Sequence, residues 1–264
     1  MQIRQSALDA LCLADPQAKC EALDRMAALA ARWSFDPAPA PPDLPLPGRP
    51  ARPRLIDPVH VPARSAFTLE GRAALLHAIC HIEFNAINLA LDAVWRFDGL
   101  PPAFYQDWMQ VALEESRHFR MLHAQLQTMG WHYGDFDAHD GLWSMCEKTA
   151  ENVIARMALV PRTLEARGLD ATPLIQDKLR KVGSADAQTI CRLLDVILAD
   201  EIGHVEIGNR WYRWTCERAG LDPLKLYPQL ALRYQAPRLR PPFNTRARQA
   251  AGFTPQELDG LLGA

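Results

Sequence analysis

Apolar residues recur at intervals of three and four along most of this chain, the period of helices that bury one face. Four long segments carry the pattern, at roughly 67–97, 102–129, 140–167 and 184–219 of 264 residues. Their ends carry matching signals. Asp98-Gly99 precedes Pro101-Pro102, Gly130 closes the second segment, Asp140 precedes the third and Gly168 follows it. Ser184 stands at the N-cap of the fourth and Gly220 lies just past its end. A shorter helix is expected at 173–182, with Pro173 in its first turn. Upstream, Leu8, Leu11, Ala18, Leu23, Met26 and Leu29 give residues 3–33 a looser helical spacing, with a break near Pro16. Runs of β-branched residues with period two are absent, so the expected fold class is all-α.

Proline interrupts this text twice. Residues 36–64 hold about half of the chain's 21 prolines, which excludes helix and central strand and predicts an extended, polyproline-like strap. Its Leu44, Leu46, Leu55, Ile56 and Val59 are expected to lie on a core. The last 44 residues, with Pro223, Pro228, Pro237, Pro241, Pro242 and Pro255, read as an irregular wrap ending in a short helix, FTPQELDGLL. The expectation is one domain over 1–264: an N-terminal helix and strap (1–64), a bundle (65–219) and a wrap (220–264).

Three of the helical stripes contain residues that do not belong in an apolar core. The second runs Phe104, Trp108, Val111, Glu115, His118, Leu122, Leu126, and the fourth Ile190, Leu194, Ile197, Glu201, His204, Gly208. Each contains Glu-x-x-His, and residues three apart share a helix face. The first stripe, Leu76, Ile79, Glu83, Ile87, Ala90, Val94, has a carboxylate near its middle. Glu83 lies 16 residues before Gly99 and Glu115 lies 16 after it, so an antiparallel hairpin puts both at one height. Buried carboxylates are costly unless paired or metal-bound. One Glu-x-x-His alone is weak and is usually a buried hydrogen-bonded pair. Two copies on core stripes, with an aligned Glu on a third helix, point to a metal site. One Glu from each of two helices and Glu-x-x-His from each of the other two is the donor set of dinuclear carboxylate centres in ferritin-like four-helix bundles. The third segment offers Glu147, Glu151 and Glu165 for the remaining position. Glu151, about 11 residues into that segment, has a geometric case, because a crossover of about ten residues after Gly130 reaches it comfortably.

Residues 72 to about 214 resemble the ferritin-like superfamily. The phrases HAICHIEFNAINLALDA, RMALVPRTLEARGLD and DEIGHVEIGNRWYRW resemble an uncharacterised bacterial family related to the tRNA-modifying diiron monooxygenases. Those enzymes carry Glu-Ala-Arg on their third helix, and Glu165-Ala166-Arg167 matches it. The resemblance implies Glu83, Glu115, His118, Glu165, Glu201 and His204 as metal ligands. It further implies two iron ions (manganese or a mixed pair as alternatives), O2, an external electron donor and an unidentified substrate, a modified tRNA base among the candidates. It covers little of residues 1–64. Pro161 and Gly168 flank Glu165 closely and predict a kink there. The alternative functions are an iron-handling protein of ferroxidase or peroxidase type, or a bundle that binds metal without catalysis. The absent CxxC pair speaks against a rubrerythrin-like peroxidase. The proline-rich ends favour a monomer or dimer over a storage shell.

Composition narrows the remainder. Hydrophobic residues make up 48% and charged residues 23%, which excludes wholesale disorder, and a net charge of −2 excludes a uniformly basic nucleic-acid binder. No uninterrupted apolar run approaches a membrane span, and Asp9, Asp15 and Glu21 stand where a signal peptide needs apolar residues. The expectation is a cytoplasmic protein with no membrane partner. The six scattered cysteines read as small buried hydrophobes. His77 and His81, offset from the Glu83 stripe, are expected near the site or on the surface rather than on a metal. Glu114 and Asp200 lie about 100° from the core face. Arg156, Arg162 and Arg167 are candidates for neutralising the carboxylates. Tyr105, Trp108, Tyr212 and Trp214 are expected to be core packing. Between 209 and 249, nine basic residues face only Glu217 and Asp222. With interleaved aromatics this composition suits RNA, although pairing with the chain's own acids is the simpler expectation.

Overall fold

The computed structural model describes residues 1–35 and 39–262, and every regular element in it is helical. Residues 36–38 of the expected strap and 263–264 of the expected wrap lie outside the described residues. The chain divides into two compact units, 1–141 and 142–264.

In the first unit α1 (Ile3–Cys12) and α2 (Pro16–Ala28) are separated at the expected proline, which opens α2 instead of merely ending α1. Asp15 caps α2 by accepting from Ala18 N. The long helices α3 (Leu69–Arg96) and α4 (Pro102–Thr128) form a hairpin that matches the first two predicted segments. Thr68 caps α3 and Gly99, at φ +68, takes the left-handed position in the turn. Leu76, Ile87, Ala90 and Val94 of α3 and Phe104, Val111, Leu122 and Leu126 of α4 are all buried, as their period requires. By length and hydropathy α3 would suffice to cross a membrane, but 78% of its apolar window is buried in the protein. It is the core helix of this unit.

The strap is docked by other means than its leucines. Leu44 is 65% and Val59 81% exposed, and Leu55 also faces solvent, whereas Pro47 and Pro53 are buried. Backbone and charge hold it instead. Gly48 N donates to Leu11 O at 2.8 Å, Ile56 N to Ala138 O at 2.8 Å, and Arg49 forks onto Asp140 at 2.7 and 2.8 Å. A Cβ on Gly48 would fall 2.1 Å from Cys12 O, so only glycine permits this approach. Lys19, fully buried, donates from Nζ to Leu11 O and Gly48 O, both at 3.2 Å, and to Asn88 Oδ1. One ammonium thus ties α1, the strap and α3 together.

The second unit departs further from expectation. The third predicted segment is not one helix over 140–167. It is α5 (Gly141–Lys148), a turn, α6 (Val153–Leu159) capped by Asn152, a π-helical turn at Val160–Glu165, and α7 (Ala166–Val182). The π turn begins where Pro161 cannot donate to Met157 O, and Thr163 Oγ1 caps Ala158 O at 2.7 Å. Gly168 does not end α7, and Pro173 lies inside it. The donor that Pro173 lacks is replaced from afar: Asn244 Nδ2 bonds Leu169 O at 3.1 Å. Gly183, at φ +71, ends α7. Then α8 (Ala185–Arg218) runs as predicted, although Ser184 makes no side-chain cap. Ile190, Leu194 and Ile197 of its stripe are buried. The wrap is more regular than its prolines suggest, forming α9 (Pro223–Arg233), α10 (Thr245–Ala250) and α11 (Pro255–Leu262).

These contacts set two expectations for stability. A Cβ at Gly208 of α8 would sit 2.5 Å from Pro161 Cβ, while one at Gly203 on the same helix would meet nothing within 4 Å. Gly208→Ala is expected to cost about 1–3 kcal/mol and Gly203→Ala to gain up to about 1 kcal/mol; equal melting temperatures in a circular-dichroism scan would refute the contact. Lys19→Met leaves buried acceptors without their donor at about 1–3 kcal/mol. It should also speed tryptic cleavage after Arg54, which precedes Leu55 and not a proline, and an unchanged digestion rate there would show that Lys19 does not hold the strap.

Candidate metal centre

The α3–α4 hairpin does what the register around Gly99 demands. Glu83, Glu115 and His118 are 3%, 0% and 0% exposed. Their ligand atoms lie within 4.8 Å of one another. His118 Nδ1 is 3.2 Å from Glu83 Oε2 and 3.3 Å from Glu115 Oε2. Burial alone would lower the His118 pKa, but the hydrogen bonds and charges of Glu115 and Glu83 outweigh it and push it up to about 11. Two carboxylate oxygens and an imidazole nitrogen converging in a dry site form a donor set that suits iron or manganese.

In the second unit Glu201 and His204 share one face of α8, with His204 Nδ1 3.7 Å from Glu201 Oε1 and its ring 1% exposed. Glu165, 9% exposed, ends the π turn. The contact of Pro161 with Gly208 fixes the register of that turn on α8. Since α7 and α8 are joined by the tight turn at Gly183, the two arms of the hairpin run in opposite senses. Four residues along each, Glu165 comes level with His204. The other two candidates on this stretch are exposed: Glu147 accepts from Trp143 Nε1 at 3.0 Å, and Glu151 lies in the turn before α6.

The remaining candidate residues have other engagements. His77 and His81 are buried, not on the surface, about 200° around α3 from Glu83 for His81. Gly134 N donates to His77 Nε2 at 2.9 Å, and Tyr133 Oη lies 2.8 Å from His81 Nδ1. Burial pulls both imidazoles down to about 4, so they are neutral anchors for the loop after α4. Tyr133 was not legible as part of this. It packs on Phe84 and Phe119, at 5.5 and 5.2 Å between ring centres, each the neighbour of a candidate ligand. The clue available was Trp131, Tyr133 and Phe136 in a segment otherwise of loop character.

The arginines do not serve as expected. Arg156 bonds Thr149 Oγ1 and Cys146 O, Arg162 pairs with Glu257 at 2.8 Å, and Arg167 is exposed. Tyr105, Trp108 and Tyr212 are core residues and Trp214 is half-buried. Glu114 is half-buried and accepts from Gln110 Nε2 at 2.5 Å, and Asp200 is half-buried. In the basic stretch Arg210, Arg213 and Arg248 pair with Glu206, Glu257 and Asp170 at 3.2, 2.9 and 2.6 Å.

No solved structure matches the chain. An uncharacterised protein of Haemophilus influenzae is 51% identical over 221 residues, which cover 80% of this chain and 75% of that relative. A family model described as "Protein of unknown function (DUF455)" matches residues 12–259. That span takes in both Glu-x-x-His motifs, Glu83 and Glu165, so the buried carboxylates and imidazoles described above are features of a chain that belongs to the DUF455 family.

Proposed function

We propose that this chain is a carboxylate-bridged diiron oxidase or monooxygenase on a ferritin-like four-helix bundle. The bundle would be formed by α3, α4, the π turn with α7, and α8. The observation that carries the reading is the buried convergence of Glu83, Glu115 and His118, repeated in residue type by Glu201 and His204 with Glu165 at their level. Carboxylates removed from water in this way need a compensating charge; the His118 imidazolium supplies it in the metal-free chain, and the O and N donors also fit a metal cation. Glu83, Glu115 and His118 would hold one part of the centre and Glu165, Glu201 and His204 the other. Iron held by these residues would supply O2 chemistry, with electrons from an external donor. The chain's own part is to fix the ligand geometry and keep the site dry. Buried Phe84 and Phe119, beside Glu83 and His118 in sequence, support the second role. The substrate class rests on the resemblance alone, which makes a modified tRNA base one candidate.

Metal loading tests the centre directly. Anaerobic addition of Fe(II), removal of excess and elemental analysis should give about two ions per folded chain; a stable value of one or zero would overturn the dinuclear reading. Glu165→Ala should lose at least one ion while Glu151→Ala keeps both, and the reverse result would move the third-helix ligand to Glu151. In sedimentation the protein should run as a monomer or dimer. A hollow shell that mineralises iron would replace the oxidase by a storage protein.

Proton linkage gives a separate check. His118 in the metal-free chain has its pKa raised from 6.5 to about 11. Its contribution to stability is therefore complete below pH 6.5 and fades as pH rises towards 11. Metal must displace that proton, so binding should release about one proton at neutral pH and weaken as pH falls. Calorimetry with Co(II) in two buffers of different ionisation enthalpy should show the difference. Identical heats would mean that His118 binds metal without losing a proton, or does not bind it.

A further inference from the structure

The outer side of α9 carries an apolar row. Leu224, Pro228 and Leu232, spaced at i, i+4 and i+8, form it, and all three face solvent. Leu232 is 82% exposed and Leu224 45%. At 100° per residue this row occupies about 80° of the helix surface, and Lys225, Gln229 and Arg233 occupy the neighbouring band. The inner side is supplied separately by Leu230, which is buried, with Leu226 and Tyr227 half-buried. The helix therefore buries one apolar face and presents a second one to water, with basic residues along its edge.

The segment after α9 extends the positive charge. From Pro223 to Gln256 the sequence contains no acidic residue. Of its basic residues, Arg248 is consumed by Asp170 and Lys225 lies 3.8 Å from Asp222. Arg233, Arg238, Arg240 and Arg246 are exposed and form no ion pair among the described residues. Three prolines at 237, 241 and 242 limit the freedom of the stretch that carries the middle two. Exposed guanidinium groups on a proline-restrained arm that follows the leucine row in sequence suit a partner that is both anionic and apolar.

We propose that α9 and the arm through α10 form a peripheral docking surface for an anionic lipid bilayer. The leucine row enters the acyl boundary while the arginines meet the phosphates, the division of labour of interfacial amphipathic helices. The absence of an uninterrupted apolar run excluded a span by this region, not a contact with a membrane surface. RNA would use the arginines but leave Leu224 and Leu232 in water. The rings that could stack on bases, Tyr234 and Phe243, are half-buried. The leucines decide between the two partners. The inference stands on the second unit's surface alone and does not depend on the metal reading.

Co-sedimentation of the full chain with vesicles tests it. At low salt the protein should pellet with vesicles of phosphatidylglycerol and phosphatidylcholine and stay in solution with phosphatidylcholine alone. At about 1 kcal/mol per arginine near an anionic surface, R238Q/R240Q/R246Q should lower the partition coefficient about 100-fold. L224Q/L232Q should lower it about tenfold or more. All five positions are exposed, so the melting temperature should not move, which separates lost binding from lost folding. Failure of the unaltered chain to pellet with anionic vesicles overturns the proposal. So does equal pelleting with neutral ones, or vesicle binding that survives the leucine substitutions. Tight binding of poly(U) that is insensitive to L224Q/L232Q, with no vesicle binding, would identify the surface as an RNA contact instead.

Discussion

Taking two carboxylates out of water sets the terms for the rest of the first unit. Glu83 and Glu115 lie on the inward stripes of α3 and α4, among residues that are almost wholly buried. An isolated carboxylate at such a position would protonate or keep the helices apart. Here the imidazole of His118 stands between them and holds a proton well beyond its ordinary range. The charge therefore does not force the hairpin open. It holds the two helices in a single register, because sliding one against the other by a turn would strand each carboxylate against aliphatic carbon. Apolar stripes alone tolerate such slips more easily. The three polar residues make this hairpin specific, and the same three offer ligand atoms that could hold a metal ion.

A site of this kind also needs the opposite face of α3 to be immobile, and the chain supplies that with polar contacts as well as packed rings. Lys19, His77 and His81 fasten α2, the strap and the loop after α4 to that face through hydrogen bonds. The aromatic rings of Phe84, Phe119 and Tyr133 fill the space between. Burial drives the two histidines to their neutral form, so they add no positive charge beside the carboxylates. The anchoring residues and the candidate ligand thus lie on opposite sides of one helix, and hydrogen-bond partners tell them apart.

The helices and the odd residues within them were legible because burial leaves a periodic trace. A Glu or His at a stripe position is visible as an exception to a pattern of 3.6, and Glu83, Glu115, His118, Glu201 and His204 were found that way. The strap was legible as a strap but not in how it docks. Its contacts are backbone bonds at Gly48 and Ile56, two buried prolines and the Arg49–Asp140 pair, and none of these leaves a periodic trace in the sequence. The third segment failed for a related reason. Pro173 signals a helix start, and it is overruled by an amide from Asn244, 71 residues away. Local rules cannot register a donor that arrives from so far along the chain. Glu165 therefore needed a resemblance to be singled out, since its surroundings are broken by Pro161 and lack a clean stripe.

That break is itself informative. A π turn widens the helix, leaves carbonyls short of donors and is less stable than the α-helix it replaces. Between Val160 and Glu165 it is supported from three sides: Thr163 closes Ala158 O, Gly208 leaves room for the Pro161 ring, and Arg162 is locked by Glu257 and Asn209 beneath Phe253. Each support is local to the turn, and none would be needed if an ordinary helix ran through. The extra residue rotates the next helical turn by about 100° relative to an uninterrupted helix. Glu165 is the last residue of the π turn, so its side-chain direction is the one most directly set by that rotation. A turn introduced only to relieve Pro161 would not require a buried carboxylate at its end. The coincidence of a supported backbone irregularity with a buried acid, level with His204, supports the proposal that Glu165, and not the exposed Glu151, belongs to the centre.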